Sequence, residues 1–212
     1  MKMRDAFKRA RAAMSFVLGT RVEDTHRSIV RGDVFLTVKD AVSGEVLEQR
    51  EMRNLVVKDA SILVARLMKD SVEAPHGAFC LAVGTGDTGW TSPPPAATDT
   101  QRALYAEVSR KTFSSTTFVD SGGSPTGVPT NVVDFTATFA ESEGVGALME
   151  MGIIGGNVNS DLNIRNPVSP ANGPYDASVN LTSYETLVNY LTFGVVTKPA
   201  TSVMTITWRL TF

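Results

Sequence analysis

Between Thr201 and Phe212 every second residue is apolar or aromatic. Met204, Ile206, Trp208, Leu210 and Phe212 share one side, and Val203, Thr205, Thr207, Arg209 and Thr211 share the other. A period of two marks a half-buried strand, because successive side chains of extended backbone point to opposite faces. Such a strand cannot stand alone. Its backbone groups need flanking strands, and its apolar row needs a second layer to cover it. The segment is therefore expected to lie within a sheet and to tie the C-terminal end of the chain into it.

The same logic recurs upstream. Residues 32–39 read as a strand with Val34, Leu36 and Val38 inward, followed by a turn at Ser43-Gly44. A long second strand over 45–57 completes a hairpin. Its middle, Glu48-Gln49-Arg50-Glu51, is polar on both faces, which suits an edge or a subunit contact. Residues 58–70 read as a helix, with Val56, Ala60, Leu63, Val64 and Leu67 on one face. Residues 78–83 read as a strand buried on both sides and stopped by Gly84-Thr85-Gly86-Asp87. A loop with Trp90 and Pro93-Pro94-Pro95 follows, and Asp99-Thr100 is expected to cap a short helix running to Arg110. Further strands are expected over 112–119, 131–141 and 147–154. An Asn-, Pro- and Ser-rich excursion covers 157–180, and two antiparallel strands meet around Lys198-Pro199. About eight strands separated by turn signals predict a mainly β fold. The expected form is an antiparallel β-sandwich or jelly roll, with one or two short helices and an N-terminal amphipathic helix or arm.

Composition narrows the function classes. With 212 residues, 42% hydrophobic and 20% charged, the chain can bury a core and is not a disordered polymer. A net charge of −2 argues against a generic nucleic-acid binder, and no apolar run is long enough to span a membrane. Cys80 is the sole cysteine, so packing rather than an intrachain disulfide must hold the fold, as suits a reducing compartment.

The charge is uneven. Residues 1–31 hold eight Lys or Arg against three acids, a net +5, which leaves −7 for residues 32–212. Within the arm, Met3, Phe7, Ala10, Met14 and Val17 recur at spacings of four and three, with Lys8, Arg9 and Arg11 off that stripe. A secretory signal, a transit peptide and a membrane-surface helix share parts of this pattern. Docking onto protein fits it best. The expected division is a basic docking arm over 1–31 and a sandwich over 32–212.

Catalytic and metal patterns are thin. His76 precedes Cys80 by four residues, but a thiol inside an apolar strand is usually a packing group. One Cys and two distant His cannot make a zinc set. Asn157, Asn159, Asp161 and Asn163 alternate like the opening of a calcium loop, yet Leu162 and Val168 stand where glycine and glutamate belong. Gly84-Thr85-Gly86-Asp87 lacks the Gly-Lys-Ser/Thr ending of a phosphate loop. Glu141 and Glu143, with Asp120 and Asp134, offer carboxylates for glycoside cleavage, though isolated acids near loops are usually solvated. Trp90, Tyr105, Tyr175 and Tyr184 suit sugar stacking, a subunit contact or plain loop packing. No cofactor is expected.

From Asn54-Leu55-Val56-Val57, through the helix 60–68 and the strand running into Val83-Gly84-Thr85-Gly86, to Asp99-Thr100, Leu104, Glu107 and Arg110, the chain resembles virion structural proteins of tailed bacteriophages. Ile206-Thr207-Trp208-Arg209-Leu210-Thr211-Phe212 looks like the closing strand of such proteins. The resemblance spans about half the chain. It implies a β-sandwich component of a tail, baseplate, neck or fibre attachment, assembled as symmetric copies in the host cytoplasm and carried in the virion. No catalytic site comes with it. The implied partners are further copies and other virion proteins, with neither nucleic acid nor membrane bound directly. The expected contact residues are Met3, Phe7, Lys8, Arg9, Arg11 and Met14 of the arm, with Trp90 and Tyr175 of the loops. Glu107 and Arg110 are expected to hold position at most, as a pair anchoring a helix to a loop within the chain or across subunits, because a surface ion pair by itself contributes little. A capsid decoration or collar protein, a carbohydrate- or receptor-binding module and a glycoside hydrolase are the alternatives.

Overall fold

The computed structural model describes residues 30–69, 76–156 and 185–212. The arm, with Met3, Phe7, Lys8, Arg9, Arg11 and Met14, and the 157–180 excursion, with Tyr175 and the calcium-like alternation, lie outside the described residues.

The strands are β1 (Arg31–Asp40), β2 (Val46–Arg53), β3 (Leu55–Val56), β4 (His76–Gly84), β5 (Glu107–Thr112) and β6 (Ser115–Val119). They continue with β7 (Pro125–Thr126), β8 (Val132–Phe139), β9 (Gly146–Gly156), β10 (Glu185–Lys198) and β11 (Ser202–Thr211); the helix α1 (Asp59–Lys69) falls between β3 and β4. They form a β-sandwich of two antiparallel sheets, ordered β2-β1-β11-β8-β6-β7 and β3-β10-β9-β4-β5.

The alternation in β11 works as expected. Its inward row meets Val38, Leu36 and Val34 of β1 on one side and Phe139, Ala137 and Phe135 of β8 on the other. Trp208 sits between Val34 and Phe135 and is fully buried. Leu81, Val83, Leu148, Met151, Ile153 and Leu191 of the second sheet complete this core. On the outer face, Thr136 pairs with Thr207, and Arg209 makes two bonds of 2.8 Å to Asp134. Asp134 is therefore a cross-strand partner, not an open acid.

The second sheet is covered on both sides, which explains the small residues of β4. Cys80 and Ala82 join Ile154, Leu187 and Tyr190 in a second apolar cluster beneath Val57 and Leu104. Gly152 belongs to the same surface, where a Cβ would come within 2.8 Å of the Asn189 carbonyl oxygen.

Four expectations need correction. The long strand over 45–57 is two strands in different sheets. Asn54 breaks it, its amide donating to the Gly32 carbonyl, before Leu55–Val56 pair with β10. No helix follows Asp99-Thr100. Residues 107–112 are β5, because pairing with β4 satisfies their backbone. The strand over 112–119 is interrupted, since β5 ends at Thr112 and β6 begins at Ser115 in the other sheet. The strands flanking Lys198-Pro199 belong to opposite sheets, so this turn is a corner and not a hairpin. Lys198 secures it by donating from Nζ to the carbonyls of Ala140 (3.0 Å) and Ser202 (2.7 Å).

Candidate functional site

Two features of the second sheet stand apart from ordinary packing. One is a polar lock under the loop 85–106. The other is an apolar groove beside α1.

The lock centres on Glu150, an acid in an otherwise apolar strand and fully buried. A buried carboxylate must be hydrogen-bonded, because losing water without replacement is costly. Here Oε1 accepts from the amides of Gly86 (3.2 Å) and Ala106 (2.8 Å), and Oε2 accepts from the amide of Tyr105 (2.9 Å) and the Tyr190 hydroxyl (2.7 Å). One side chain therefore clamps both ends of the loop to β9. Gly84 and Gly86 are there for geometric reasons. A Cβ on Gly84 would fall 2.5 Å from Glu150 Oε1 and from the Ala106 carbonyl, and Gly86 has φ +72° with the Trp90 ring against it. The Gly-Thr-Gly turn is thus built for Glu150 and a neighbouring loop, not for phosphate. Burial raises the Tyr190 hydroxyl pKa well above its usual value, and the Glu150 charge and hydrogen bond push it further.

Beside it, Arg110 donates from Nη2 to Glu107 Oε2 at 2.8 Å and from Nε to Oε1, and both side chains are fully buried. Of the two expected placements, within the chain or across subunits, the fork takes the internal one, on β5 rather than on a helix, with a bidentate geometry suited to a desolvated ion pair. At the corner, Glu143 accepts from Lys111 Nζ and from the Ala140 amide (2.7 Å). Burial opposes ionisation of Glu143, but Lys111 and the Ala140 amide outweigh it and bring its pKa below the usual value. Asp120 Oδ1 closes a turn through the amides of Gly122 and Ser124. Of the four acids considered for glycoside cleavage, Asp120, Asp134 and Glu143 are engaged in holding backbone or strands.

The groove, about 610 Å³, opens between α1 and the ends of the two sheets. Val56, Leu63, Val64, Leu67, Val188 and Phe212 form much of its wall, and Val30, the first described residue, forms part of it. Its lining polar residues are few. Lys58 and Asp99 pair with each other at 3.1 Å. Val64 (53%), Leu67 (42%) and Phe212 (54%) remain substantially exposed, so apolar surface is left open here. The helix face foreseen from Ala60, Leu63, Val64 and Leu67 is the face that lines this groove.

Trp90 packs edge-on against Tyr105, with ring centroids 5.0 Å apart, and the adjoining cavity is only about 50 Å³. Cys80 is fully buried. Among the described residues, no three His, Cys, Asp or Glu side chains are grouped to hold a metal, and no helix is long and apolar enough to cross a membrane. Sequence reasoning missed Glu150, Tyr190, Arg50 and Lys198. Arg50 of β2 reaches across to the carbonyls of Gly194 (2.6 Å) and Val195 (2.9 Å), where β10 bulges. A lone acid at 150 within an apolar run was the one available signal.

No protein-family model matches the chain, and neither a curated protein nor a solved structure matches it.

Proposed function

We propose that this protein is a structural building block that works by being held among neighbours and carries out no chemistry. In the reading we favour, it is a component of a tailed-phage virion, in the tail, baseplate or neck. It would assemble as symmetric copies through its N-terminal arm and loops. The observation that carries this reading is the inward use of its charged side chains. Glu150 is consumed in bracing the loop 85–106, and Glu107 and Arg110 in a buried pair with each other, while the wide groove beside α1 offers apolar contact area. Buried bracing with open apolar surface suits a protein that must keep its shape while gripping another. Of the residues that carry the resemblance, Gly84 and Gly86 lie in the turn that meets Glu150, and Glu107 and Arg110 form the buried fork.

A carbohydrate module is less well supported. Trp90 lies against Tyr105 and Gly86, and a cavity of about 50 Å³ is small beside ordinary ligand sites, which run to about 300 Å³ or more.

The test is the mass of the full chain in solution across a concentration series, with particle imaging of the same samples. Closed rings, or labelled chains found on phage particles, support the proposal. A chain that stays monomeric throughout and never associates with particles overturns it.

A further inference from the structure

The groove beside α1 lacks a cover among the described residues, and the chain itself supplies a fitting one. We infer that it seats the apolar stripe of this chain's own N-terminal segment, Met3, Phe7, Ala10, Met14 and Val17, folded back onto the body that carries it.

Three observations lead there. The first is position: Val30 is part of the groove wall, so the segment leaves the described body at the groove itself. The second is reach. A helix over residues 3–17 would be about 22 Å long at about 1.5 Å per residue. Residues 18–29, between stripe and wall, extend to about 40 Å at up to about 3.6 Å each. The spacer can therefore return the stripe along the groove in either direction without strain. The third is chemistry. Two methionines, a phenylalanine, an alanine and a valine at helical spacing present a narrow, adaptable apolar edge. The groove presents Val64, Leu67 and Phe212 partly uncovered. Lys8, Arg9 and Arg11 fall off the stripe and stay in water. The groove's own Lys58 and Asp99 already neutralise each other. The 157–184 segment fits less well, because Pro167, Pro170 and Pro174 interrupt any helical stripe.

Folding back onto the same chain beats exchange between chains in dilute solution, because a short tether holds the stripe at an effective concentration in the millimolar range. This goes beyond the assembly reading: a free subunit keeps its stripe in its own groove, and release must precede any grip on a neighbour.

The experiment uses the full chain with Ala10→Cys paired in turn with Val64→Cys and Phe212→Cys. A control pairs it with Thr126→Cys, on β7 at an edge of the six-stranded sheet. Samples are oxidised over a dilution series and resolved by non-reducing electrophoresis and peptide mapping. The expected result is a bridge within one chain from residue 10 to 64 or 212, formed in equal yield at every dilution and well above the control. Bridges only between chains would give the groove to a second copy and overturn the inference, as would no bridge beyond the control. As an independent readout, Phe7→Asp with Met14→Asp should raise binding of an apolar fluorescent dye several-fold. An unchanged signal counts against it. Neither readout requires assembly, so the inference and the proposed function fail separately.

Discussion

The two ends of the five-stranded sheet have been treated in opposite ways. Under the loop 85–106 the interior is polar and saturated, with Glu150 accepting four hydrogen bonds and Arg110 forked onto Glu107. Beside α1 the surface is apolar and unfinished, with Val64, Leu67 and Phe212 part-exposed around a groove of about 610 Å³. The first end is complete within the described chain, and its removal should be felt as lost stability. The second gains nothing until something covers it, so its alteration should be felt in binding. That contrast teaches where to look for function: at the unsaturated end.

The contrast breaks most visibly at Glu150. Glu150→Ala deprives three backbone amides and the Tyr190 hydroxyl of their acceptor, with the Gly86 amide and the hydroxyl buried and the other two amides part-buried. At about 1–3 kcal/mol per unsatisfied buried group, partly offset by relaxation, the expected loss is about 4 kcal/mol. Denaturant titration measures it, and a loss below about 1 kcal/mol would mean that the loop is not held this way. Next comes Arg110→Met, which leaves the Glu107 carboxylate buried without its fork. Breaking one side of a buried pair costs about 3–5 kcal/mol, and we expect about 3 here by the same titration.

Tyr190→Phe is smaller, about 1–2 kcal/mol, since it removes one donor to Glu150. It also carries a pH signature. The folded-state pKa of this hydroxyl is raised above the usual 10.0, so above pH 10 the unfolded chain loses the proton first. The contribution is fully present below pH 10.0 and lost as pH rises past it. Lys198 acts in the opposite sense. Burial lowers its pKa from 10.5, so its contribution grows as pH rises through that window. The alkaline loss in the wild type should therefore become shallower in Tyr190→Phe and steeper in Lys198→Met. Identical alkaline limbs in all three proteins would show that neither group is linked to folding.

Much of the scaffold was legible because period-two alternation reports a strand with one buried face. β1, β8 and β11 followed from Val34, Phe135 and Trp208 and their neighbours. β4 followed from its small residues, and the edge position of β2 from Glu48 to Glu51. Sheet membership was not legible. The crossings at Asn54 and Lys198-Pro199 depend on long-range pairing, and local pattern cannot distinguish a hairpin from a corner. The helix expected over 99–110 failed for a related reason: capping residues signal a local preference, and pairing with β4 overrode it. The lock was hidden because its members are scattered from Gly84 to Tyr190. Glu107 and Arg110 stand out as a pair in the sequence, but their spacing does not reveal that both side chains are fully buried. The groove was half visible. The apolar face of α1 was read correctly, whereas the gap left beside it arises from where the two sheets end.

The smallest stability effect belongs at the open end and sharpens the comparison most. Val64 is 53% exposed on α1, so Val64→Asp should remove little packing from the body. Substitutions at such sites usually stay within about 0.5 kcal/mol. Unfolding followed through the fluorescence of Trp208, buried in the opposite core, should therefore scarcely move. What should change is access to the arm. A charge in the groove wall expels the apolar stripe, and limited trypsin digestion at Arg9 and Arg11 should accelerate several-fold relative to the wild type. If Val64→Asp instead lowered the unfolding midpoint as far as Glu150→Ala, the groove would be core in disguise. The division between a finished end and a receptive one would then have no physical basis.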